Sequence, residues 1–262
     1  MSGGDRFEPG LAVEARSDPL GFAYGPGVRG PEPELRRLDA IRKSLRDPAC
    51  PGPDPVYAIV MDVAREEHLE ELRRRFLLFG VVTYAAGRLG EEPVRSQGHV
   101  HRVAPHSGWS PPELYEIWNG RAVVYMQERA EDDPGRCFAI EAGPGEVVVV
   151  PPGWAHATVS ADAREPMTFG AWCDREYGFE YDAVRERGGL ACYPLLVDGR
   201  VEWQPNPRYQ ARGLVERGAR DYPELGLEPG VPVYELFSRD PEAVQWVSEP
   251  ARLAHLWEGF EP

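Results

Sequence analysis

The sequence predicts an all-β protein: a single small antiparallel barrel or jelly roll with extended and helical additions at both ends. Three observations predict it. From Leu77 onward, short apolar runs follow one another at close intervals: LLFGVVTYAA, LYEIW, RAVVYMQ, CFAIEA, EVVVV, HATVS, MTFGAWC, LACYPLLV and RVEW. Turn residues separate them, as in Gly87-Arg-Leu-Gly90, Asp133-Pro-Gly135, Gly143-Pro-Gly145 and Asp198-Gly199. The 28 Gly and 27 Pro in 262 residues suit many tight turns between short strands. No long internal repeat is visible, so one barrel is expected rather than a duplicated pair. The expected division is an N-terminal arm and short helix over 1–55, the barrel over 56–209 and a C-terminal extension over 210–262.

Taken in order, residues 1–33 are rich in Gly, Pro and charge and read as an extended arm that wraps over a barrel or a neighbouring subunit. Leu35, Leu38, Ile41 and Leu45 recur at helical spacing and predict an amphipathic helix over 34–46, ended by Pro51 and Pro53. Val56 to Val63 reads as a strand. Glu66 to Arg75 reads as a second helix with Leu69, Leu72 and Phe76 on one face and His68 solvated on the charged side. The strands then run to Trp203, interrupted at 176–188, where a helical turn is expected. After Asn206-Pro207-Arg208-Tyr209 the strands are expected to stop. The tail carries apolar anchors at Tyr234, Leu236 and Phe237 and a terminal helix with Leu253, Leu256, Trp257 and Phe260 on one face.

The net charge is −14, which disfavours nucleic acid or an anionic membrane as a partner, since both call for basic surface. Lys43 is the only lysine, so arginine carries nearly all the positive charge. Cys50, Cys137, Cys173 and Cys192 form no CxxC pair and no disulfide framework. The opening MSGGDRFEPG does not read as a signal peptide, and no apolar run is long enough to span a bilayer. A cytoplasmic protein with reduced thiols is expected.

One stretch carries chemistry. His99 and His101 alternate with Val100, so both imidazoles leave a strand on the same face. Glu113 follows after a loop, and His156 closes the run Gly145-Glu-Val-Val-Val-Val-Pro151-Pro152-Gly-Trp-Ala-His156. Three imidazoles and a carboxylate suit a borderline divalent cation. Buried without one, they would be costly. Two other residues compete with Glu113. Glu116 lies three positions along the same strand and faces the other way; His106 lies in the loop.

The pattern resembles the two motifs of the cupin superfamily. The second, G-x5-P-x-G-x2-H-x3-N, fits from Gly145 to His156 with Ser160 in the Asn position, while the spacer between His101 and Glu113 is longer than usual. Within that superfamily, Thr83 to Tyr209 resembles the cupin-type phosphoglucose isomerases. The matching text is Gly87-Arg-Leu-Gly90-Glu91, Ser96-Gln-Gly98-His99-Val-His101, Glu113-Leu-Tyr115, Pro144 to Val159, Tyr177-Gly-Phe-Glu-Tyr181 and Asn206-Pro207-Arg208-Tyr209.

The resemblance implies one divalent metal, Fe2+ favoured over Mn2+, Ni2+, Zn2+ or Co2+, held by His99, His101, Glu113 and His156. It implies that Thr83, Ser96 and the Gly98 backbone hold a sugar phosphate, with Tyr115 and Tyr181 beside the sugar. Cys173 stands where a phosphate-contacting tyrosine is usual, and Phe179 where histidine is often found. Arg95 or Arg175 is expected to help with the phosphate. The implied reaction interconverts glucose 6-phosphate and fructose 6-phosphate, a step of glycolysis and gluconeogenesis, through an enediolate with Glu113 as base or through a metal-assisted hydride shift that uses the same residues. A homodimer is implied, and the long 102–112 loop is expected to be a lid or a dimer contact. The alternatives are a related isomerase, epimerase or binding cupin for another sugar or metabolite, and an Fe(II) dioxygenase.

Overall fold

Strand alternation sorts each apolar run into two faces, and two sheets result. A computed structural model describes residues 7–262. The larger sheet runs in the order Val147–Val150, Glu113–Asn119, Met167–Asp174, Leu77–Tyr84, Tyr57–Met61, Glu34–Arg36. The smaller runs Ala155–Ser160, Ala122–Gln127, Cys137–Ala142, Leu214–Gly218. Neighbours pair antiparallel, except that Cys137–Ala142 pairs parallel with Leu214–Gly218. Between the sheets pack Tyr115, Ile117, Phe169 and Ala171 from one side and Val124, Met126, Phe138 and Ile140 from the other. The expected all-β architecture is therefore borne out.

The outer face of the larger sheet is also covered. Phe79, Trp118 and Trp172 pack under Tyr234, Phe237 and Trp246 of the tail. The Trp172 ring stacks on Tyr234 at 5.6 Å, and its Nε1 donates to the Val233 carbonyl at 3.1 Å. With both faces buried, Leu77–Tyr84 and Met167–Asp174 are buried at every position.

The additions at both ends are more ordered than expected. In the arm, Val13–Ser17 and Leu20–Tyr24 form a hairpin, and Val28–Arg29 pairs with Ala64–Arg65. The helix expected over 34–46 shrinks to Leu38–Ile41 and a 3-10 turn at Arg42–Ser44. Leu38, Ile41 and Leu45 are buried as their spacing predicts, but Leu35 is 38% exposed. Glu34–Arg36 satisfies its backbone by pairing with Tyr57–Met61 instead.

The strands do not stop at Tyr209, because Leu214–Gly218 completes the smaller sheet. The terminal helix is only Ala254–Trp257, after a 3-10 turn that begins at Pro250, and Phe260 is buried beyond its end. The helical turn expected within 176–188 is Asp182–Glu186. His68 is half-buried rather than fully solvated: its Nδ1 lies 3.2 Å from the Tyr234 hydroxyl and its ring meets Phe237 edge-on. All four cysteines are buried and free. Among the described residues no helix is long and apolar enough to cross a membrane.

Candidate metal centre and active site

His99 and His156 face each other across two short backbone segments. The His99 amide donates to the His156 carbonyl at 3.1 Å, and the His156 amide returns the bond at 2.9 Å. Residues directly opposite in an antiparallel bridge share a face, so the two rings meet with centroids 4.3 Å apart. His101 lies on the same face as His99, 5.1 Å from it and 5.0 Å from His156. Gly98 makes the entry to this segment with φ +86°, and a Cβ there would lie 2.9 Å from Leu190, so only glycine fits. Glu113 projects inward with Tyr115 and Ile117 from the larger sheet. One ligand atom each from His99, His101, Glu113 and His156 all lie within 4.8 Å of one another.

The hydrogen bonds around these side chains fix which nitrogens can bind a metal. His101 Nδ1 lies 2.9 Å from the Pro111 carbonyl, and His156 Nδ1 lies 3.0 Å from the Trp154 carbonyl. A carbonyl only accepts, so each Nδ1 carries the proton and each Nε2 presents a lone pair. The Nε2 atoms of His99 and His101 are buried without a hydrogen-bond partner. Glu113 Oε2 lies 3.1 Å from His156 Nε2 and 3.3 Å from His101 Nε2. One proton cannot serve three converging nitrogens and a carboxylate; a divalent cation can.

The donor set therefore fits a metal. The Tyr115 hydroxyl donates to Glu113 Oε2 at 2.6 Å, and the Cys173 thiol lies 3.1 Å from Oε1. Burial pushes the Cys173 thiol well up, so it stays protonated and donates. Burial also raises Glu113, but the His101 and His156 imidazoles beside it outweigh that and hold the carboxyl well below its ordinary range. Burial and the two neighbouring imidazoles push His99 well down, which keeps it neutral.

A cavity opens from His99 and Glu113 between the two sheets. Its polar wall includes Arg36, Tyr57, Ser96, Gln97, Thr158 and Tyr181. Phe179 meets the His99 ring edge-on at 4.4 Å and Tyr181 meets it at 6.0 Å.

With this geometry in place, the likeness to known proteins is informative. A family model described as glucose-6-phosphate isomerase matches residues 38–212. The chain belongs to the cupin-type glucose-6-phosphate isomerase family. It is 30% identical over 187 residues to the glucose-6-phosphate isomerase of Thermococcus kodakarensis, which covers 70% of this chain and 90% of that one. It is 29% identical over 188 residues to that of Pyrococcus furiosus, covering 70% of this chain and 91% of that one. Among solved structures, oxalate oxidase in complex with a glycolate substrate analogue superposes with a TM-score of 0.36 at 13% identity, over 48% of this chain and 55% of that chain.

Against the family pattern, the structure gathers some expected site residues and not others. Ser96 and Tyr181 lie along the cavity, and the Ser96 hydroxyl accepts from the Thr158 amide at 3.1 Å; Gly98 is not part of the cavity wall, although its neighbours Gln97 and His99 are. Tyr115 and Cys173 are brought together on Glu113 itself. Thr83 is not brought in. Leu78, Val82 and Tyr84 face the inner core, so Thr83 faces out, where its hydroxyl pairs with Thr168 at 2.9 Å. Tyr84 lines the cavity instead.

The two expected arginines are committed elsewhere. Arg95 binds Glu92 at 2.6 Å and the Ser44 and Ser96 carbonyls. Arg175 binds Asp62 through two bonds of 2.9 and 2.6 Å. Glu116 faces outward, as alternation predicts, and accepts from the Val233 amide and Trp118 Nε1.

His106 is not a ligand. Its ring stacks on Phe76 at 4.1 Å, its Nδ1 lies 3.1 Å from Glu176, and its Nε2 reaches the Ser248 carbonyl at 3.0 Å, which pins the 102–112 loop to the tail. Arg36, Tyr57 and Gln97 were not singled out from sequence.

Proposed function

We propose that this chain interconverts glucose 6-phosphate and fructose 6-phosphate using one divalent metal held by His99, His101, Glu113 and His156. The observation that carries the reading is the convergence of these ligand atoms within 4.8 Å, inside the segment that matches the family. Bound there, the metal supplies positive charge for the substrate carbonyl and the enediolate oxygens. Glu113, whose carboxyl is ionised at neutral pH, takes the proton from one of the two adjacent carbons and returns it to the other. Tyr115, donating to Glu113 Oε2, orients that carboxylate. Tyr181, at the cavity wall, serves the hydroxyl protons of the sugar, and Ser96 lines its path.

Iron(II) is the favoured ion, with manganese, nickel, zinc and cobalt as substitutes. A homodimer in the cytoplasm, working in glycolysis and gluconeogenesis, completes the proposal. Cys173 against Glu113 favours a second reading, the same proton transfer on another sugar phosphate. Arg36, Ser96 and Gln97 in an otherwise largely apolar cavity wall favour an anionic substrate over the Fe(II) dioxygenase reading.

The test is anaerobic reconstitution with each ion and assay with both sugar phosphates. Turnover that a chelator abolishes supports the reading; metal-loaded protein inert toward both sugars overturns it. Glu113→Gln is expected to lower kcat by at least about a hundredfold, as for loss of a positioned base. An unchanged rate would assign the base elsewhere.

A further inference from the structure

Arg36 enters the cavity because of strand register. It pairs with Tyr57, which in turn pairs with Tyr84. Tyr57 and Tyr84 both belong to the inner core, and directly opposed residues share a face. Arg36 therefore stands on the inner face at the edge of the larger sheet. Its side chain is 18% exposed, and its guanidinium carbon lies 6.0 Å from the centre of the Tyr57 ring.

Two donors in this wall are left over. Arg36 Nε is buried with no hydrogen-bond partner. Gln97 Nε2 is also buried without one. The orientation of Gln97 is fixed, because Arg185 Nε donates to its Oε1 at 2.9 Å and arginine has no acceptor to offer. The remaining partner of Arg36 is replaceable: Nη2 lies 2.8 Å from the carboxylate of Glu34, which is 65% exposed. An unpaired buried donor is costly, and a guanidinium prefers a two-pronged anion. Arg36, His99, Glu113 and Tyr181 line one cavity, so cation and metal ligands face one space.

We propose that Arg36, with Gln97, forms an anion subsite that takes the phosphate of the substrate while the metal ligands face its carbonyl end. The assignment rests on the isomerase reading for the substrate, but not for the anion. Arg36 lies two residues before the segment 38–212 that matches the family model.

The experiment titrates inorganic phosphate into zinc-loaded protein by 31P NMR and measures KM for fructose 6-phosphate, in wild type, Arg36→Ala and Arg36→Lys. Loss of a charged hydrogen-bonding partner predicts a fall of about ten- to a hundredfold in phosphate affinity and a matching rise in KM in Arg36→Ala. Arg36→Lys should recover part of both. Zinc content and thermal midpoint check the fold, and Arg36→Gln replaces the alanine variant if that fails to hold zinc. Unchanged phosphate affinity and KM in folded Arg36→Ala would overturn the subsite. Phosphate binding that depends on Arg36 in a protein inert toward sugar phosphates would support the subsite and overturn the isomerase reading instead.

Discussion

Glu116→Gln tests how far one strand separates two carboxylates. Glu113 and Glu116 lie three residues apart and face opposite sides of the sheet. Glu116 is 1% exposed, and burial pushes its carboxyl up to about 7 despite the hydrogen bonds from Val233 and Trp118. A folded-state pKa above the unfolded one means that the folded chain holds this proton more tightly. Its contribution is full below about 4.5 and is lost as pH rises through about 7. Taking 4.5 as the ordinary value, the shift corresponds to about 3 kcal/mol.

Glutamine cannot ionise, but it carries one acceptor oxygen where the carboxylate has two, at a cost of about 1–3 kcal/mol. The variant should therefore be less stable than wild type near pH 5 and close to it near pH 8. The difference between their thermal midpoints should close by several degrees across that range. Midpoints by circular dichroism at steps between pH 5 and 8, with metal content measured alongside, decide it. Parallel profiles would refute the buried-carboxyl argument, and loss of metal would show that Glu113's strand depends on the bond between Glu116 and the Val233 amide.

Chelation should lower the thermal midpoint, since a ligand at about a thousand times its Kd stabilises by about 4 kcal/mol; a midpoint indifferent to chelator and to added zinc would remove the metal from the fold. His106→Ala should speed hydrogen exchange in the 102–112 loop and around Ser248, at a global cost of about 1–2 kcal/mol; exchange unchanged in both places would show that His106 does not pin the loop.

The convergence of His99, His101, Glu113 and His156 was legible because its signals are local. The alternation His99-Val-His101 and the turn Pro151-Pro152-Gly153 each fix where a side chain points without reference to distant residues. The same alternation correctly turned Glu116 away from Glu113. Thr83 was misplaced because Leu77–Tyr84 is buried on both faces, so its sequence gives no polar phase to tell inner from outer. That phase is set by the tail, which arrives more than a hundred residues later. Arg36 was missed for a related reason. Leu35, Leu38, Ile41 and Leu45 keep helical spacing, but the backbone of Glu34–Arg36 is claimed by the edge of Tyr57–Met61, and no local pattern announces a partner strand.

The two ends of the chain that lie beyond the family match act on the same centre from opposite sides. A metal site works only if its ligands are held to fractions of an ångström, which demands that their strands be packed on both faces. Glu113's strand is held from outside by the Val233 amide on Glu116, and the neighbouring strand that carries Cys173 is held by Trp172 donating to Val233. The loop joining His101 to Glu113 is held by His106 on Ser248. Val233 and Ser248 both belong to the tail, so all three supports of the Glu113 side converge on residues after 212, while Arg36 comes from before 38. Rigidity behind the carboxylate and charge in front of the metal thus come from additions to the barrel. Destabilising the tail should loosen Glu113 before it disturbs the His99–His156 bridge, which the tail does not touch through any of these bonds.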